Sequence, residues 1–369
     1  MKKTLVVAAV SASFAVAAHA QSSVTLYGVI DAGLTYTSNV GGNASWEQTS
    51  GAVSQSRFGL KGSEDLGNGL KAIFTLESGF NLNSGRYANS GSEFNRQSFV
   101  GLSSNYGTVT LGRQYDAEQD FLAPLSATGS WGGTQFAHVG NLDNLNTNGG
   151  NAVNNSIKFT SANYAGFTFG GTYGFSNQAG GFANNREYSL GAAYQFQGLR
   201  VAASYAQLNN PLSNAGGATD NAAAIAANAT GNLRARTYGV GAAYAFGPAQ
   251  VGAVWTQTRV DNVVATPASL RQDNYEVNAK YNLTPALGLG VAYTFTDQQG
   301  SGTASGLSAR FHQIGAQADY SLSKRTDVYA QVVYQHASTA GASIYNGSFG
   351  GVSTSDNQTA ATVGLRHRF

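Results

Sequence analysis

Apolar and polar residues alternate one by one in segment after segment of this chain, and the links between those segments are by turns long and short. Strict alternation makes a strand with two unlike faces. In 24–35 one face carries Val24, Leu26, Gly28, Ile30, Ala32 and Leu34, and the other Thr25, Tyr27, Asp31 and Thr35. The same rhythm sets Leu70, Ala72, Phe74 and Leu76 against Lys71, Thr75 and Glu77, and Tyr275, Val277, Ala279 and Tyr281 against Glu276, Asn278 and Lys280. Sixteen strands are expected, at 24–36, 54–63, 69–81, 94–103, 106–115, 155–163, 166–176, 187–196, 199–208, 236–246, 249–259, 272–282, 286–297, 309–321, 326–337 and 357–369. Most suit the roughly 9–11 residues that a tilted strand needs to cross a bilayer.

The links carry as much information as the strands. Long polar ones fall at 38–53, 116–154, 209–235 and 337–356, and between them come tight turns at 64–68, Asn105, Ala165, 197–198, 247–248 and 283–285. A soluble sandwich has no reason to sort its hairpins by length. A barrel with long loops on one side of a membrane and short turns on the other does. Aromatic residues recur at the ends of the apolar faces, among them Phe80, Tyr173, Tyr194, Phe196, Tyr244, Trp255, Tyr281 and Tyr320, as they do where rings meet lipid headgroups. The expected class is all-β, a 16-stranded antiparallel transmembrane β-barrel; a soluble lectin-like sandwich is the alternative.

Composition agrees. Only 11% of residues are charged and 47 are Gly, against about 25% charged in a soluble domain. Cys is absent, so neither disulfides nor thiol chemistry enter. Lys2 and Lys3 precede an uncharged stretch at 5–18 and then Ala18-His19-Ala20, the pattern of a cleaved signal peptide over 1–20. Residues 21–369 are then one barrel domain; a retained anchor helix is the other reading. Without Lys2 and Lys3 the formal charge of +2 falls to zero, which gives no argument for a nucleic-acid partner. His138, His312, His336 and His367 lie far apart in sequence, so no local metal pair forms. No GxSxG elbow is present, and Gly239-Val240-Gly241 lacks the third glycine of a nucleotide fingerprint. No catalytic residue, metal or cofactor is expected.

Several blocks carry a family resemblance. Ser56-Arg57-Phe58-Gly59-Leu60-Lys61-Gly62-Ser63-Glu64-Asp65-Leu66-Gly67, Val24-Thr25-Leu26-Tyr27-Gly28, Phe94-Asn95-Arg96-Gln97, Thr110-Leu111-Gly112-Arg113-Gln114 and the closing Gly364-Leu365-Arg366-His367-Arg368-Phe369 resemble the general diffusion porins of β-proteobacteria, the Burkholderia and Neisseria type. The resemblance runs from the first strand to the last and thins in the long loops, above all 209–235. It implies an outer-membrane homotrimer, surrounded by lipid, that passes ions and small hydrophilic solutes through water-filled pores. It also implies a third long loop folded into each pore, and a terminal Phe369 read by the outer-membrane assembly machinery. The aromatic-poor outward face of the first strand (Val24, Gly28, Ala32) is the expected trimer contact.

A pore selects by width and by the charges at its narrowest point. The link 116–154 carries Asp116, Glu118, Asp120 and Asp143, yet Phe121, Leu122, Leu125, Trp131 and Phe136 are too apolar for a solvated loop. Folding inward against the wall accounts for both. Arg57 shares parity with Lys61, and Lys158 lies between Ile157 and Phe159, so both should face the lumen. Arg96 is placed on the basic wall by the resemblance, although Val100 and Leu102 fall in phase with it. Arg113 is in phase with Val109 and Leu111, which leaves its orientation open. The expected constriction thus sets Arg57, Arg96, Arg113 and Lys158 against Asp116, Glu118 and Asp120, with a mild preference for anions. A solute-specific anion channel would favour basic residues in the 116–154 link, which has none. A surface adhesin or receptor barrel would need a plug, and only 21–23 precede the first strand.

Overall fold

The computed structural model describes residues 22–88, 92–213, 216–219, 233–262, 268–302, 304–339, 341–347 and 351–369, and the expected leader at 1–20 lies outside them. The strands are β1 (Ser23–Val40), β2 (Asn43–Ser50), β3 (Arg57–Gly67), β4 (Leu70–Gly79), β5 (Gln97–Ser104), β6 (Gly107–Gln114), β7 (Val153–Ser161), β8 (Phe167–Gly174) and β9 (Arg186–Phe196). They continue with β10 (Leu199–Asn209), β11 (Arg234–Phe246), β12 (Ala249–Asp261), β13 (Ala268–Asn282), β14 (Leu287–Gly302), β15 (Ala309–Ser321), β16 (Thr326–Ala337) and β17 (Asn357–Arg368). Each strand from β3 to β17 pairs antiparallel with the next.

β1 closes the ring. It pairs β17 from Val29↔Arg368 to Thr37↔Ala360 on one edge. On its other edge it pairs first β3 (Ser23↔Ser63 to Val29↔Arg57) and then β2 (Ala32↔Ser50 to Val40↔Asn43). β2 and β3 therefore share one position, and the ring has sixteen. Gly28 and Phe369 exchange both backbone hydrogen bonds, at 3.2 and 3.1 Å, so the last residue of the chain completes the seam. In hydrocarbon an unpaired N–H or C=O has no water to turn to, and a closed ring leaves no edge.

The link expected at 38–53 is partly strand. β1 runs on to Val40, turns at Gly41 and Gly42, which have φ of +59° and +99°, and returns as β2. Apart from Tyr36, Val40, Ala44 and Trp46, this arm is polar on both faces, so no hydrophobic alternation marks it. The Tyr36 and Trp46 rings sit across from each other with centroids 5.0 Å apart. The gap between β2 and β3 is held by Asp31, whose Oδ2 accepts the Val53 and Ser54 N–H groups at 3.1 and 2.6 Å and whose Oδ1 accepts the Tyr329 hydroxyl at 2.5 Å.

The two faces are reversed relative to a protein folded for water. Leu34 is 58% exposed while its neighbour Thr35 is fully buried. Val24, Leu26, Val100, Val240, Val277, Ile314 and Val363 likewise point out, and Thr256, Gln272, Asn274, Gln335 and Gln358 point in. Such a surface is stable only where the surroundings are apolar.

At the seam a Cβ on Gly28 would run into the Phe369 ring. Gly28→Val should cost about 1–3 kcal/mol through overpacking. It should lower the unfolding temperature in detergent, followed by circular dichroism, whereas Gly306→Ala, at an open position, leaves it unchanged.

Candidate pore site

The segment between β6 and β7 folds back over the inner face of the barrel in a chain of short helical turns at Glu118–Leu122, Ala123–Leu125, Thr134–Phe136 and Val139–Asn141. Phe121, Leu122 and Leu125 are buried against Ala193, Ala202, Ala243 and Val254, inward residues of β9 to β12. Trp131 and Phe136 pack with Ala292, Val333 and Ala360 farther round. Burying each of these side chains stabilises the insertion by about 1.5–3 kcal/mol. The wall makes room by omission: a Cβ at Gly191 would meet Phe121, one at Gly239 Leu122, one at Gly290 Trp131 and one at Gly315 Phe136. Hydrogen bonds match the segment's backbone to the wall. Ala127 N donates to Glu276 at 2.7 Å, the Leu125 carbonyl accepts Asn278 Nδ2 at 3.0 Å, and the Gly132 carbonyl accepts Gln331 Nε2 at 2.5 Å.

One ionic latch fixes the middle of the loop. His138 is fully buried, with Nδ1 2.6 Å from Asp143 Oδ2 in the loop and Nε2 2.9 Å from Glu276 Oε2 on β13. Thr256 Oγ1 and Asn274 Nδ2 donate to the same Asp143 oxygen at 2.7 and 3.2 Å. Burial alone would depress the imidazole, but Asp143 and Glu276 outweigh it and push His138 up to about 10. Burial would raise the Asp143 carboxyl, but the imidazolium overrides it and holds the group below its usual range.

Across the lumen the cations gather on Glu77. Arg96 Nε binds its Oε1 at 2.7 Å, Arg57 Nε lies 3.7 Å from Oε2, and the Tyr27 hydroxyl donates to Oε2 at 3.0 Å. Arg96 precedes the first residue of β5 and so is free of that strand's alternation, which is why its parity misleads. Its guanidinium also bonds Gln55 and the Thr147 carbonyl of the inserted loop, and it lies 5.7 Å from the Tyr115 ring centroid. Arg57 keeps 28% of its side chain exposed against 5% for Arg96, so Arg57 presents the charge and Arg96 braces it. Arg113 donates to the Asn95 carbonyl at 3.0 Å and to Asn154, beside the bulge at Gly112–Gln114.

Of Asp116, Glu118 and Asp120, only Asp120 forms an ion pair among the described residues, with Lys158, whose ammonium also donates to the Tyr115 carbonyl at 3.1 Å. Asp116 turns towards β9, where it shares a cavity of about 240 Å³ with Glu187 and accepts Gln119 N and Asn144 Nδ2 at 2.9 and 2.6 Å. Glu118 is fully buried, and neither carboxylate oxygen has a hydrogen-bond partner among the described residues. Burial pushes Asp116 up to about 6, and burial with the Asp116 charge raises Glu118 well above the carboxylate range. Burial also raises Asp120, against the pull of Lys158. The loop is therefore less acidic than its count of carboxyl groups suggests.

The sequence sets Glu77 and Glu276 on inward faces without giving either a role, and it offers His138 only as a metal ligand without a nearby partner. The inward parity of the two glutamates was the available signal. Nothing local could link His138 to Glu276, which is 138 residues away.

The latch has a pH window. A raised His138 contributes stability in full below the ordinary imidazole value of 6.5 and loses it as pH rises through about 10. A depressed Asp143 contributes above 3.8 and loses its share as pH falls through its lowered value. His138→Ala leaves buried carboxylates unpaired, a loss of about 3–5 kcal/mol in loop anchoring. Single-channel recordings should show a quiet open level for the parent at pH 7 and a noisy one above pH ~10; the variant should be noisy at both.

The family described as Gram-negative porin matches residues 5–340. An outer membrane porin protein of Bordetella pertussis is 37% identical over 60% of this chain and 63% of its own length. Outer membrane porin protein 32 of Delftia acidovorans is 32% identical over 100% of both chains. Among solved structures, an anion-selective porin from Comamonas acidovorans superposes with a TM-score of 0.77 at 25% identity, covering 95% of this chain and 100% of its own. OmpT of Vibrio cholerae in its trimer form has the same fold, with a TM-score of 0.69 at 17% identity over 94% of this chain and 99% of its own. The family match spans most of the chain, from residue 5 to just past β16, and the chain belongs to the Gram-negative porins.

Proposed function

We propose that this outer-membrane channel for passive diffusion carries ions and small hydrophilic solutes between the Arg57–Glu77–Arg96 cluster and the inserted loop, with a mild preference for anions. The observation that carries the reading is the asymmetry of charge across that gap. Arg57, Arg96, Arg113 and Lys158 supply four basic groups against the carboxyl groups of Glu77 and Asp120 and of an Asp116 that burial pushes up to about 6. Such a transverse field favours one sign of ion along one wall. The anion-selective porin named above supports the same sign.

The working unit is a homotrimer, supported by the trimer form of OmpT. Its contact is the outward face of β1 at Val24, Gly28 and Ala32. The leader at 1–20 is removed on export. Phe369, whose ring remains 41% exposed beside the seam, is the residue the assembly machinery reads.

In a planar bilayer with unequal salt on the two sides, the reversal potential should have the anion sign. R57Q/R96Q should move it towards zero or reverse it, with R57Q alone giving most of the change. E77Q should move it the other way. An unchanged reversal potential in R57Q/R96Q would remove these residues from the selectivity site.

A further inference from the structure

The outward face of β10 to β14 is banded in a way that diffusion through the lumen does not require. Cross-strand pairing puts Arg236 opposite Arg259, and Arg259 opposite Arg271, so three guanidiniums lie in one row at the long-loop end. They share parity with the exposed Val240, Tyr275 and Val277, so the row lies on the outside of the barrel. Like charges directly opposite one another on a sheet face destabilise it. The carboxylates at hand compensate only in part. Asp261 takes Arg234 and Arg236 at 2.7 and 3.0 Å, and Asp273 takes Arg271 at 2.7 Å. Four arginines thus share two acids. Arg259 donates to Gln257 at 2.7 Å and meets no carboxylate among the described residues, and the buried Nε of Arg236 has no partner among them either.

Two rows nearer the middle of the strands, Trp255, Tyr275 and Phe295 stand in register as an aromatic belt, continued on β11 by Val240. Below the belt a trough of about 900 Å³ runs over small residues, Val201, Ala203, Ala242 and Ala253, towards the rings of Phe167 and Tyr194. A cationic row, a belt of rings and then a narrow apolar channel match one kind of molecule, an amphiphile with an anionic head and hydrocarbon tails. We infer that this face is a specific site for a phosphate-bearing anionic lipid of the leaflet at the long-loop end. Its phosphate bridges Arg236, Arg259 and Arg271, and an acyl chain lies in the trough. Arginine suits the head because its planar fork binds phosphate through two N–H groups, and each basic residue near an anionic lipid surface adds to binding.

Trp255 reports on the trough. In folded W46F/W131F protein in neutral detergent micelles, it should be quenched by phosphatidic acid with brominated chains at far lower mole fraction than by brominated phosphatidylcholine. R236Q/R259Q/R271Q should weaken the anionic lipid's apparent affinity by roughly a hundredfold and leave quenching by phosphatidylcholine as it was. In the unsubstituted arginine background the preference should fade as salt is raised, which tests the site without any arginine variant. Equal quenching by the two lipids, a preference indifferent to salt, or a preference that survives the triple substitution in protein with parental circular dichroism would each overturn the site. Full competition by millimolar inorganic phosphate would also overturn it, since the head would then be recognised without its chains.

Discussion

Every strand of this molecule depends on the seam between β1 and β17. A membrane supplies no substitute for a lost backbone hydrogen bond, so a sheet left open at this seam would carry two edges of unsatisfied groups. The seam joins the first and last strands of the chain, and the fold is therefore complete only when Phe369 has bonded Gly28. Closure also sets the inside. Once the strand positions are fixed at sixteen, alternation assigns each side chain to lipid or lumen, and the lumen is wide enough to admit a segment of the chain's own backbone.

How the segment stays there follows from ordinary packing in an unusual place. The lumen wall of β9 to β17 is polar in most rows but small and apolar where the loop lands, and the loop supplies the bulk that those rows lack. His138 adds a directional tie that dispersion contacts cannot provide, because its two nitrogens engage one carboxylate from the loop and one from the wall. On the other side of the passage Glu77 holds Arg57 and Arg96 at once. The result is a passage with one hydrogen-bonded, charge-rich side and one side built of inserted chain.

The sixteen strands could be read from the sequence because period-two alternation is local and most outward-facing residues of the strand middles are apolar. Boundaries agreed within a few residues at most places, as for 309–321 and 326–337. The polar arm Asn43–Ser50 escaped because its stability comes from cross-strand hydroxyls and one ring pair rather than from an apolar face. The inward fold of the loop was legible from the misplaced bulk of Phe121, Trp131 and Phe136. Its partners were not, since a glycine in a strand reads as a weakness and only the packed structure makes Gly239 or Gly290 a socket. Charge was the least legible quantity. Asp116, Glu118 and Asp120 look alike in one dimension, and only burial separates the one that meets Lys158 from the two that do not.

Those sockets have an evolutionary reading. Because Gly191, Gly239, Gly290 and Gly315 lie behind the loop rather than along the solute's path, adding a methyl group to one of them would push the loop forward without altering any residue that a passing solute meets. Aperture and surface chemistry are then under separate genetic control. A lineage could narrow or widen its sieve by single changes on the far wall, while the charged face keeps its composition.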